Sequence, residues 1–117
     1  MPRPEDIKYV ILHITDSGWG SVQSIRQWHT DPPPLGRGWA DIGYHYCIGN
    51  GYPTYDGYLY RRLEMDADGA IWPGRDLDRD GDVDEEFGAH ALGFNSRSLG
   101  IAIDPRLTAR PTASGRR

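Results

Sequence analysis

Glycine and proline set the first limit on what this chain can fold into. Fifteen Gly and nine Pro among 117 residues fall mostly between short apolar runs, which divides the chain into brief elements joined by loops. The core must therefore be small. A chain of this length suits one domain, and a hydrophobic share of 38% with a charged share of 26% belongs to the folded class. The domain is expected over residues 1–104. Residues 105–117 lack periodicity and large apolar side chains, and are expected to form a disordered tail. Cys47 is the only cysteine, which excludes an internal disulfide and suits a buried strand residue.

The apolar runs order themselves readily. Tyr9-Val10-Ile11-Leu12 followed by His13-Ile14-Thr15 has the branched, continuous character of a central strand buried on both faces. Ser21 can cap a helix whose apolar face is Val22, Ile25 and Trp28, and Asp31 with the prolines after it ends that helix. Residues 42–48 alternate as a second strand, closed by Gly49-Asn50-Gly51. Period two places Tyr44 and Tyr46 on one face and His45 on the other. The tyrosine-rich stretch from Tyr52 to Tyr60 reads as an extended hairpin or loop. Asp68-Gly69 turns into Ala70-Ile71-Trp72, and residues 98–103 form the last strand.

Charge narrows the range of partners. The net charge is -4, acidic residues gather between Asp66 and Glu86, and arginines dominate only after Pro105. A nucleic-acid partner is not expected without a basic face. No membrane span and no signal peptide is visible, so synthesis in the cytoplasm is expected.

The four histidines, His13, His29, His45 and His90, form no local metal-binding pair. Their neighbours carry more information. ILHIT around His13, IRQWH around His29, WADIGYHY, DGAIWPGRD and GAHALGFNSRSLGIAI follow one another in the chain. In that order, over residues 7 to 103, they resemble the type 2 N-acetylmuramoyl-L-alanine amidases, the family of amidase-type phage lysozymes and peptidoglycan recognition proteins. The resemblance implies an α/β fold, a mixed central sheet flanked by helices. It also implies a peptidoglycan groove holding a zinc ion that hydrolyses the amide between N-acetylmuramic acid and L-alanine at the cell wall, as in phage endolysins.

Site residues carry over one by one. His13 matches the first zinc ligand; on residue type alone a hydrogen-bonded histidine at a strand end is the favoured reading. Tyr44 matches the tyrosine that assists the zinc-bound water or the developing oxyanion, with a half-buried strand tyrosine as the plainer alternative. His90 and Asn95 match the segment that contacts the glycopeptide, or else form a loop-ordering pair. His29 and His45 read as structural.

The resemblance ends at Ile103. The family continues with a further helix and strand, a second histidine and a Cys or Asp ligand, and nothing in residues 104–117 matches them. The expectation is therefore a fold lacking the C-terminal helix and strand, truncated or frame-shifted, with one zinc ligand of three and no hydrolysis by this chain alone. A non-catalytic peptidoglycan-binding module or a decayed amidase fragment is the alternative. Loss of a covering helix would also leave one sheet face bare and promote self-association.

One acidic segment stands apart. Asp76-Leu77-Asp78-Arg79-Asp80-Gly81 has the opening spacing of a calcium loop, but the twelfth position, which should be Glu, is Phe87, and Glu86 falls one place early. Calcium at Asp76, Asp78 and Asp80 is thus a secondary expectation beside a solvated acidic turn, and calcium is expected to add little stability.

Overall fold

The computed structural model describes residues 7–15 and 17–105. The tail expected over 105–117 lies outside the described residues apart from Pro105, whose carbonyl accepts a 2.8 Å hydrogen bond from Asn50 Nδ2.

Four strands, β1 (Tyr9–Ile14), β2 (Tyr46–Asn50), β3 (Asp68–Pro73) and β4 (Ser98–Ile103), form one mixed sheet in the order β1-β4-β2-β3. β4 runs parallel to both β1 and β2, whereas β2 and β3 are antiparallel. Helix α1 (Val22–Thr30) is the crossover between β1 and β2, and a shorter helix α2 (Tyr55–Leu59) precedes β3. This is the mixed α/β arrangement implied by the sequence.

α1 begins where its residues dictate. The Ser21 hydroxyl accepts from the Ser24 backbone N–H, and the Ser24 side chain returns the bond to the Ser21 N–H, so two donors at the helix start are satisfied reciprocally. Val22 and Ile25, one helical turn apart, are buried against Ile42, Cys47 and Ala102. Trp28 stays at the edge and packs on Trp19, with ring centroids 5.3 Å apart. The helix α2 falls in the stretch read as an extended hairpin or loop. Thr54 caps it by accepting from Gly57 N–H at 3.0 Å, a local bond that outweighs the poor helix propensity of Gly57 and the tyrosines.

Register explains which faces are covered. His13 pairs with Ala102, and Ala102 with Cys47, so these three share the face under α1. On the opposite face, β1 contributes Val10, Leu12 and Ile14, β4 contributes Leu99, Ile101 and Ile103, and β2 and β3 contribute Tyr46, Ile48, Ile71 and Pro73. Val10, Leu12, Ile14 and Ile71 are exposed by 58, 62, 57 and 65%. The run from Tyr9 is therefore not a central strand buried on both faces. It is an edge strand with one bare side, because β4, arriving last in sequence, inserts between β1 and β2.

Candidate functional site

β1 delivers His13 near its C-terminal end to the covered face, and His90 comes to meet it from the loop before β4. His13 Nε2 and His90 Nδ1 are 2.9 Å apart. Two glycines hold the His90 ring there. A Cβ on Gly88 would lie 2.4 Å from His90 Cδ2, and one on Gly100 would lie 2.4 to 2.6 Å from three atoms of the same ring. Only residues without a side chain allow the imidazole to settle against both backbones.

The proton positions in this pair follow from its neighbours. Ser98 Oγ donates its single proton to the Phe94 carbonyl at 2.8 Å, so toward His90 Nε2, at 3.2 Å, it can only accept. His90 then carries its proton on Nε2 and leaves Nδ1 to accept from His13 Nε2–H. His13 is left with a bare lone pair on Nδ1. Burial lowers the pKa of both rings, with His13 and His45 adding repulsion at His90, which is brought to about 4. Neutral imidazoles are the form that can offer a lone pair.

Tyr44 stands beside His13, with ring centroids 5.2 Å apart, and 5.4 Å from the ring of His29. Burial raises its phenol pKa, which keeps the O–H as a donor. It packs with the core under α1, whereas Tyr46 lies in register with Ile101 and Pro73 on the other face and donates to Asp84 Oδ1 at 2.5 Å. The two tyrosines thus do not share a face. Period-two alternation fails here because β2 begins only at Tyr46, and residues 41–45 follow a loop path. For the same reason His45 is not carried away from the cluster: its ring lies 5.7 Å from His90.

His45 and His29 are nevertheless committed elsewhere. His45 is fully buried; its Nε2 donates to the Glu86 carbonyl at 2.7 Å and its Nδ1 accepts from Gly100 N–H at 2.9 Å. No nitrogen is left for a metal. His29, near the end of α1, accepts from Gly43 N–H through Nδ1 and lies against Trp39. Asn95 uses Oδ1 to accept from the backbone N–H groups of His90 and Ala91, both at 2.9 Å, so its carbonyl oxygen orders the loop that presents His90.

Sequence reasoning passed over Ser98, buried and decisive for the His90 tautomer, and gave Glu86, buried in the acidic loop, no inward role. Ser98 had no signal beyond its place at a strand start. A separate cleft of about 530 Å³ is lined by Arg26, Asp41, Asp76, Leu77, Arg79 and Val83 among others. The Arg26–Asp41 ion pair, at 2.8 Å, stands on its wall, and none of the histidines reaches it.

Known proteins resemble this chain in sequence and in fold. An endolysin of Klebsiella phage KP32 is 34% identical over 82 residues, which is 70% of this chain and 35% of the endolysin. An N-acetylmuramoyl-L-alanine amidase of Homo sapiens is 33% identical over 89 residues, 76% of this chain and 11% of that protein. Among solved structures, bumblebee PGRP-SA superposes with a TM-score of 0.52 at 28% identity, over 85% of this chain and 47% of that one. The chain belongs to the amidase and peptidoglycan-recognition-protein-like family. No protein-family model matches it, and it spans about a third of the length of the phage endolysins it matches.

The zinc that this family implies can be tested against the donors present. A catalytic zinc takes three protein ligands and keeps a fourth position open. Among the described residues, His13 offers one free nitrogen, while His90 and His45 have both ring nitrogens engaged. The groups of three or more metal-binding side chains found among the described residues are all acidic, drawn from Asp76, Asp78, Asp80, Glu85 and Glu86. The described residues therefore do not make a zinc site by themselves.

Proposed function

We propose that the surface around His13, Tyr44 and His90 is part of a peptidoglycan-binding groove of the amidase kind, which takes the junction of muramic acid and its peptide. The observation that carries this reading is the convergence of an imidazole lone pair on His13, a phenol donor on Tyr44 and a glycine-cradled His90, in a chain related to endolysins, amidases and recognition proteins. Tyr44 suits a donor to the amide carbonyl, or to the oxyanion that forms from it. His90, set in place by Asn95, suits the glycopeptide side of the groove. His13 suits one ligand of zinc, and amidase activity belongs to a protein in which further ligands join it. With the described residues alone, the reading is recognition at the cell wall without turnover.

The test is retention on insoluble peptidoglycan together with chemical-shift mapping by a soluble muramyl peptide. Signals of Tyr44 and His90 should move together, and no peptide should be released from muramic acid. Shifts confined to distant residues would remove the groove from consideration. Release of peptide, abolished by a chelator and by His13→Ala, would show that the described ligands suffice after all. The bare apolar face supports a second expectation, self-association; sedimentation velocity across a concentration series should show it, and Leu12→Lys should suppress it.

A further inference from the structure

In the sequence, calcium in the acidic loop after β3 is only a secondary expectation because the twelfth position is Phe87. In the structure Phe87 is 47% exposed, whereas Glu86, one place earlier, turns inward and is 1% exposed. Glu86 Oε2 is buried with no hydrogen-bond partner, and so is Asp76 Oδ1. A carboxylate oxygen of Glu86 lies within 4.8 Å of oxygens of both Asp76 and Asp78, and Asp78, Asp80 and Glu85 form an overlapping group of the same size. Among the described residues no Lys or Arg forms an ion pair with Asp76, Asp78 or Glu86. The buried, partnerless oxygens of Glu86 and Asp76 are costly unless a cation or a proton answers them.

We infer that this loop is a calcium site, held by Asp76, Asp78 and Glu86. The donors are all oxygen, which suits a hard cation and not zinc. Glu86 supplies the inward carboxylate that spacing alone assigned to position twelve. The opening of the loop already has the shape such a site uses: Gly81, at φ +84°, donates its N–H to Asp76 Oδ2 at 2.9 Å, leaving Asp76 Oδ1 for the ion. The bound ion would also steady the groove, since the Glu86 carbonyl is the acceptor for His45, and Gly88 to His90 follow directly.

Calorimetric titration of the full chain with calcium chloride, after removal of metal by a chelator, tests this. One ion per chain should bind with a dissociation constant at or below about 1 mM, the weak end for extracellular calcium modules, and magnesium should not replace it. Glu86→Gln should weaken binding at least about tenfold. Because Glu86 is buried and its replacement can disturb folding, Asp78→Asn, at an exposed position, is the companion variant and should weaken binding similarly. No saturable heat from the folded protein up to about 10 mM calcium, equal binding of magnesium, or unchanged affinity in Asp78→Asn would overturn the assignment.

Discussion

Replacing Gly100 by Ala examines the cradle of His90 with little other disturbance. Gly100 lies in β4 without a positive φ, so alanine meets no backbone strain there and in a neutral setting would stabilise the strand by about 0.5–1 kcal/mol through lost chain entropy. Its Cβ, however, would lie 2.4 Å from His90 Cγ, where ordinary contact begins at 3.4 Å. The ring must therefore move by about 1 Å, enough to take the 2.9 Å bond to His13 past hydrogen-bonding range. Overpacking of this kind costs about 1–3 kcal/mol. The net loss is roughly 0–2.5 kcal/mol, centred near 1 kcal/mol, or a fall in Tm of about 4–8 °C at that centre for a domain of this size. Thermal unfolding by circular dichroism, with imidazole signals followed by NMR, provides both readouts. A Gly100→Ala protein as stable as its parent, with His13 and His90 signals unmoved, would refute the idea that close backbone contact positions His90.

Other outcomes follow from single groups. Ser98→Ala removes the acceptor that fixes the His90 proton on Nε2, so ring ¹⁵N shifts should show mixed tautomers at His90 and a stability loss of about 1–2 kcal/mol; one unchanged tautomer would count against the assignment. Burial first, then Arg37 and Arg75, lowers His29 from 6.5 to about 4. The unfolded chain then binds the extra proton, so this contribution is complete above about pH 6.5 and is lost as pH falls toward 4. The ring is only partly shielded, so the loss is roughly 1–2 kcal/mol after screening; urea midpoints should show it, and His29→Gln should flatten the slope. Burial, reinforced by Asp104, pushes the Cys47 thiol up to about 12, so a disulfide reagent at pH 8 should label it at least about a hundredfold faster in urea than in the native state. Rapid native labelling would mean that the core under α1 opens readily.

What could be read from the sequence was what local chemistry decides. Ser21, Val22 and Ile25 announce α1, because capping and helical spacing are properties of neighbouring residues. The branched run at residues 98–103 announces a strand for the same reason. The position of β1 at the sheet edge could not be read, since it depends on where β4, more than eighty residues later, takes its place. That His13, Tyr44 and His90 belong to one set was legible through resemblance, yet the proton arrangement of the cluster was not, because that depends on Ser98 and Phe94 meeting His90 across a turn. Tyr44 and His45 were placed by alternation, a rule that requires an extended strand and lapses one residue before β2 begins. Glu86 was misjudged by a count: a spacing rule says which residue should face inward, while the chain's own path turned the residue before it.

The uncovered side of the sheet makes the stability of this fold depend on its company. Val10, Leu12, Ile14 and Ile71 have no cover among the described residues, so whatever apolar surface settles on them adds to stability by mass action. Were copies of the chain or an amphiphile to settle on this face, the unfolding midpoint would become a function of their concentration. The same dependence makes these positions conditional in their tolerance of change. A lysine at position 12 would cost little while the face meets water and a great deal once it is covered, so one substitution could be silent in dilute solution and damaging in an assembled state.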